Sequence, residues 1–300
     1  MNWKVVAMCS LAVCALSACS LPPRARPPGL PPPQSSRGGA EALLVRGDAA
    51  WRGGRTDEAL LAYLQAQQLD PKSDVAWLRV GALHESLGHA QLAIRAWQMA
   101  ALRNERNGLT RQRLGFAWLR EGEFGRAEDE FSSAVRLDAE AWRALFGLGL
   151  VAEHRADYGA ARAYYDRALE LAGDDAELRT CSARVALEQD DLPRTEADLA
   201  AAFAAGSHAE SWLVFGDLLT RRGDYPGGLE AYLKHLPPPE AYQRLGERAL
   251  RVGDYARAVW YFERAAAASP VWFERAHKSL LVARERWVEQ QRRAQDAPQR

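Results

Sequence analysis

Residues 142–175 read WRALFGLGLVAEHRADYGAARAYYDRALELAGDD. The apolar and small residues recur every three to four positions, which predicts two helices joined by a tight turn. Small residues stand where the helices must touch: Gly149 in the first, Ala161 and Ala168 in the second. Leu145, Leu148, Tyr164 and Tyr165 fill the space around them, and Asp157-Tyr158-Gly159 is the expected turn. Stepping back 34 residues from Ala161 gives Ala127, then Ala93, then Ala59. A register held over four units marks a repeat architecture, in which each unit buries its apolar face against the next.

The units run outward from this one. Residues 40–73 supply Leu43, Gly47, Ala59, Tyr63, Ala66 and Pro71. Residues 74–107 supply Trp77, Val80, Gly81, Ala93, Trp97 and Ala100, and residues 108–141 supply Leu114, Gly115, Trp118, Ala127, Phe131 and Ala134. The unit from 176 keeps Ala183 and Ala202 but has Thr195 and Leu199 where Ala and an aromatic belong, with Pro193 at the start of its second helix. The unit from 209 has Trp212, Phe215, Gly216, Gly228 and Tyr232, and Pro237-Pro238-Pro239 must end its second helix early. The unit from 239 has Tyr242, Leu245, Gly246, Ala258, Phe262, Ala265 and Pro270. Unit starts therefore fall at 40, 74, 108, 142, 176, 209 and 239.

This pattern resembles the tetratricopeptide repeat family, whose 34-residue unit wants a large residue at position 4, small at 8, Ala at 20, aromatic at 24, Ala at 27 and Pro at 32. The resemblance implies an all-α fold, a right-handed α-solenoid of about seven helix-turn-helix repeats over residues 40–272. Glycine or alanine at positions 8 and 20 lets paired helices approach, and the aromatics are expected to fill the gap between neighbouring units. Gly54, Gly88, Gly122, Gly223 and Gly253 recur at position 15, where a left-handed residue closes the first helix. An open stack needs a cap, and residues 271–293 fit, with a stripe of Trp272, Phe273, Ala276, Leu280, Ala283, Trp287 and Val288. A basic amphipathic helix lying on a membrane surface is the alternative for that segment. Residues 294–300 read as a disordered tail.

The N-terminal 18 residues carry Lys4 and then an apolar run from Val5 to Leu16, too short for a stable span and suited to a secretory signal. The run ends Leu16-Ser17-Ala18-Cys19, which resembles the lipobox of bacterial lipoproteins. That resemblance implies cleavage before Cys19, acylation of Cys19, and, with Ser20 rather than Asp following, an outer-membrane address facing the periplasm. A soluble periplasmic protein released at an ordinary cleavage site is the alternative. Residues 21–39, LPPRARPPGLPPPQSSRGG, hold seven of the chain's fifteen prolines. Together with Cys19 they form a linker that, extended at ~3.1 Å per residue, reaches roughly 60 Å. A ligand for a proline-recognising partner is a second possibility for it.

Chemistry is sparse. Lysine plus arginine equal aspartate plus glutamate at 39 each, and without residues 1–18 the balance is 38 to 39, or −1. Nothing here has the basic excess of a nucleic-acid binder. Past Cys19 only Cys181 remains, so an intrachain disulfide or cysteine-rich zinc site is excluded there, and a buried inert thiol is expected. His84 and His89 lie five apart, not the four a helical zinc motif needs. Gly147-Leu148-Gly149 lacks the rest of a dinucleotide fingerprint. Glu188-Gln189-Asp190-Asp191 reads as a solvated helix end. No enzyme, metal site or cofactor is expected.

In tetratricopeptide repeats the first helices line a groove, and the matching positions here include Phe116, Leu119, Arg120, Phe146, Leu150, Glu153, His154, Arg184, Leu213, Asp217 and Arg221. The middle is apolar and the C-terminal part charged, which suits a protein segment. Coverage of Phe116 and Phe146 by neighbouring units is the competing possibility. The chaperone-tail clamp of some family members is not implied, because Leu44 and Asp48 occupy its positions. The whole resembles the pilotin and pilus-assembly lipoproteins, lipidated repeat solenoids of similar size. The expectation is a non-enzymatic, lipid-anchored scaffold for protein partners of an envelope machine, foremost a pilus or secretion apparatus. Outer-membrane protein insertion, polysaccharide export and peptidoglycan-enzyme docking are alternatives, and a glycan- or small-molecule-binding solenoid is one of another class.

Overall fold

The computed structural model describes residues 36–296, apart from Ser207, Pro270 and Trp272. The signal segment, Cys19 and most of the linker lie outside the described residues, as do the expected roles of Pro270 and Trp272. Among the described residues there are fifteen helices and no strand. They pair as α1 (Ser36–Arg52) with α2 (Thr56–Leu69), α3 (Val75–Ser86) with α4 (Ala90–Arg103), α5 (Gly108–Arg120) with α6 (Phe124–Leu137), and α7 (Trp142–His154) with α8 (Tyr158–Ala172). Then come α9 (Ala176–Glu188) with α10 (Leu192–Gly206), α11 (Ala209–Arg221) with α12 (Tyr225–Tyr232), and α13 (Pro238–Arg251) with α14 (Tyr255–Ala268), followed by a lone α15 (Glu274–Asp296). The first helices of successive units pack on one another, α5 on α7 and α9 on α11, and no pair of second helices packs to that extent. First helices therefore form the inner layer. No described helix is long and apolar enough to cross a membrane.

The glycine at position 8 and the aromatic at position 24 are two halves of one contact. A Cβ on Gly47, Gly81, Gly115, Gly149, Gly216 or Gly246 would strike the ring of Tyr63, Trp97, Phe131, Tyr165, Tyr232 or Phe262 of the same unit. All six rings are fully buried. The aromatics thus fill the inside of their own unit first. Phe131 also reaches the next unit, where it lies against Gly147. Burying six such side chains against backbone is the main apolar driving force of the stack.

Position 15 is left-handed in every unit. Gly54, Gly88, Gly122, Gly223 and Gly253 have φ between 73° and 85°, and where glycine is missing Ala156 (58°) and Asp190 (63°) adopt the same conformation. The turn of the central unit is therefore 155–157, two residues earlier than expected. Asp157 caps α8, its carboxylate accepting from the Ala160 N–H at 3.0 Å, and Gly159 lies inside that helix.

Other boundaries move for identifiable reasons. Helix α1 begins at Ser36, so residues 36–39, assigned to the linker, are helical; the last proline before them is Pro33. The unit from 176 is regular. Its departures are absorbed by polar pairing: Asp198 is buried and accepts from Arg179 at 3.0 Å and from Ser182 at 2.7 Å. Thr180 and Ser211 share a buried hydrogen bond of 2.8 Å into the next unit, and Thr195 and Leu199 are themselves buried. The triple proline does shorten the sixth unit: α12 ends at Tyr232 after eight residues, and Pro238 starts α13. The last helix begins at Glu274 and includes residues 294–296 of the expected tail. Ala276 and Ala283 are buried, but Trp287 and Val288 of the expected stripe are exposed, because beyond Ala283 the helix overhangs its neighbours and only Glu289 is even half-buried.

Candidate functional site: the inner face

The inner face carries a ladder of ion pairs, each joining one first helix to the next. Asp48 on α1 takes Arg79 of α3 at 2.9 Å. Glu85 on α3 takes Arg120 and Arg113 of α5 at 2.5 and 3.3 Å. Glu153 on α7 takes Arg184 of α9 at 2.5 Å, and Arg184 also reaches Glu210 of α11 at 2.9 Å. Asp217 on α11 takes Arg244 of α13, and Glu247 on α13 takes Arg275 of α15 at 2.7 Å. Arg221 is held from the side by Asp190 at 2.9 Å.

The position-24 tyrosines anchor three rungs from behind. The hydroxyls of Tyr63 and Tyr232 donate to Asp48 and Asp217 at 2.7 Å, and that of Tyr165 to Glu153 at 2.8 Å. Burial works against the charge on Arg184, but the hydrogen bonds and charge of Glu153 outweigh it and hold the guanidinium above its ordinary value. Burial, reinforced by Cys181 and Glu153, raises the Tyr165 phenol, so it stays a donor. The charged half of the expected groove is thus engaged within the solenoid. Its members Arg120, Glu153, Arg184 and Asp217 belong to inter-helix pairs, and Arg221 pairs with Asp190 in the turn after α9.

Among the described residues the ladder has one gap, between α5 and α7. There the carboxylate and arginine are replaced by Phe116, Leu119 and Phe146. The rings of Phe116 and Phe146 stand 6.4 Å apart, and Phe116 meets Phe131 edge-on at 4.9 Å. A depression of about 290 Å³ opens at this seam, lined by Gln112, Phe116, Leu119, Trp142 and Arg143 with the carboxylates of Glu85, Asp175 and Glu177 around it. Arg143 stacks over Trp142 at 4.8 Å and has no ion-pair partner among the described residues. Phe116 and Leu119 are half-buried and accessible.

Phe146 is only 6% exposed. It belongs to the core around Leu145, Tyr165 and Cys181, so it forms the floor of the seam rather than a contact surface. Leu150 packs half-buried against the same core, and Leu213 against the core of the last two units. His154 is not in the groove. As the last residue of α7 it is exposed and stacks on Phe124 at 3.5 Å, at the turn edge. Trp142 and Arg143 were not expected in the site, although Trp142 is the one tryptophan at a unit start, which is a readable signal. Among the described residues no three His, Cys, Asp or Glu side chains are grouped to hold a metal ion.

The sequence profile of the tetratricopeptide repeat matches residues 35–74, 47–108, 117–176 and 182–242. A sequence search among curated proteins returned no match. Among solved structures, PilF of Pseudomonas aeruginosa superposes with a TM-score of 0.59 at 18% identity, over 66% of this chain and 91% of that one. A tetratricopeptide repeat protein from Parabacteroides merdae gives 0.60 at 16% identity, over 82% and 99%. PilW, described as a widely conserved type IV pilus biogenesis factor, gives 0.58 at 17% identity, over 64% and 90%. At these identities the likeness is one of fold.

Proposed function

The chain belongs to the tetratricopeptide repeat family, and we propose that it is a non-enzymatic scaffold, lipid-anchored to the bacterial outer membrane, that holds a protein partner during assembly of a pilus or secretion apparatus. The observation that carries the scaffold reading is the single gap in the inner ladder. Along the rest of the inner face, among the described residues, an ion pair joins each first helix to the next. At the seam of α5 and α7 it offers Phe116, Leu119 and Trp142 with an uncommitted Arg143, an apolar contact with a polar rim that suits one apolar side chain of a partner segment. The envelope address rests on Leu16-Ser17-Ala18-Cys19 and on the proline-rich segment after it. The pilus assignment rests on the fold shared with PilW.

In-cell crosslinking tests the partner. A photoreactive residue at Leu119, followed by mass spectrometry, is expected to capture a pilus or secretion-system protein; capture of barrel-assembly proteins or peptidoglycan enzymes instead would replace that assignment. Leu119 is the better probe than Phe146, where a bulky substitution would enter the core. Cys19→Ala is expected to block processing and to release the chain from the membrane fraction, and unchanged fractionation would remove the lipid anchor from the proposal.

A further inference from the structure

A large cavity lies on the opposite face, on the first three units. It measures about 850 Å³. Leu60 and Leu64 of α2 and Leu92, Met99 and Leu102 of α4 line it together with Trp77 of α3, and Arg95, Arg111 of α5 and Glu130 of α6 add charge to the lining. Several of these are open to solvent: Leu64 at 39%, Leu92 at 44% and Leu102 at 69%. The volume is that of a ligand pocket, and so much exposed leucine around a tryptophan marks a surface made to be covered. The inner-face partner cannot cover it, since the two faces are separated by the helix layers.

The start of the fold lies beside this cleft. Ala40, one turn into α1, packs with Ala66 of α2 and Ala76 of α3. Leu44, a turn further along α1, packs both on that cluster and on the core that holds Leu60 and Trp77 of the cleft. The chain therefore enters the solenoid in the unit whose second helix forms one wall of the cleft. The residues that precede it, 21–34, read LPPRARPPGLPPPQ. A polyproline II strand has no internal hydrogen bonds and little entropy left to lose, and it is recognised by apolar grooves lined with aromatic side chains. Fourteen residues at ~3.1 Å each reach roughly 43 Å, ample for crossing the end of α2 and lying along the cleft.

We propose that the cleft between α2 and α4 is the docking site of the chain's own proline-rich segment, residues 21–34. Leu21 and Leu30 bring apolar side chains and the prolines pack against Trp77. Tethering supplies an effective concentration on the order of millimolar, so a contact too weak to persist between separate molecules is populated within one chain. The inference goes beyond the anchored-scaffold reading and does not depend on lipidation.

The test uses the full chain with a photoreactive residue at Leu102. The expected product has monomer mass and joins residue 102 to a peptide within 21–34. Leu92→Asp, at an exposed position that the helix tolerates, is expected to lower its yield roughly tenfold, the equivalent of losing one buried leucine. A product of dimer mass would assign the cleft to a second copy, and a product with another protein to an external partner. Either of these, or photolysis that yields no link to residues 21–34, overturns the proposal. Capture at Leu119 and fractionation of Cys19→Ala are read separately, so failure here leaves the proposed function standing.

Discussion

Gly115→Ala is a sharp test of how the units are built. A Cβ at position 115 would lie 2.5, 2.6 and 2.9 Å from three carbons of the Phe131 ring, against an ordinary contact of 3.4–4 Å. The ring must retreat by about 1 Å. It is fully buried and its far side already touches Gly147, so there is nowhere for it to go without moving α7. Overpacking of this kind costs about 1–3 kcal/mol, and a trapped ring belongs at or above the upper end. Alanine's better helix propensity returns about 1 kcal/mol. The net expectation is about 2 kcal/mol of destabilisation. Repeat stacks open unit by unit, so hydrogen exchange is the right assay, and amide protection in α5–α7 should fall about 30-fold. Gly125→Ala in the same unit is the control: nothing lies within 4 Å of its Cβ, and the variant should be neutral or slightly stabilised. Adding Phe131→Leu to Gly115→Ala should cost less than the sum of the single changes. If Gly115→Ala is as stable as Gly125→Ala, the glycine–aromatic contact is not what sets the helix spacing.

Ala156→Gly should stabilise by about 1 kcal/mol, because alanine at φ 58° carries a left-handed penalty that glycine avoids. A urea midpoint that fails to rise would mean that the turn has relaxed around alanine. Cys181 is buried and its thiol is pushed up to about 12, by burial first, with Arg184 opposing. Iodoacetamide at pH 8 should leave it unmodified in the folded chain and label it fully in urea, and fast labelling of the native protein would contradict the packing of α9.

The fold was readable where a single residue type has a single job. Alanine at position 20 and glycine at positions 8 and 15 recur in most units because close approach and positive φ favour them. The turn of the central unit was misplaced because Gly159 looks like turn punctuation, whereas its neighbour Asp157 is a cap and position 15 is filled by Ala156. The fifth unit looked irregular because its aromatic and alanine are missing. The compensation, Arg179 with Asp198 and Ser182, spans 16 to 19 residues and carries no periodic signature. Phe146 was assigned to the groove by position alone, and its neighbours α8 and α9 close over it. The ladder was illegible for a further reason: its partners lie 26 to 35 residues apart with varying offset, so sequence shows the charges without showing which arginine finds which carboxylate.

That ladder bears on specificity. A groove residue tied to its neighbour at 2.5–2.9 Å and backed by a tyrosine hydroxyl is a poor hydrogen-bonding partner for anything else, since a ligand must break one satisfied pair to make another. The paired charges of the C-terminal half therefore contribute chiefly to the rigidity and pitch of the stack, with Glu188 and Arg251 beside them outside the ladder. Discrimination between partners falls to the seam of α5 and α7, where Phe116 and Leu119 gain by burial, and to Arg143, the one seam cation not already spent on a carboxylate. A partner that binds there needs an apolar side chain with an acceptor nearby. The surrounding charges set only how closely the next residues of that partner can approach.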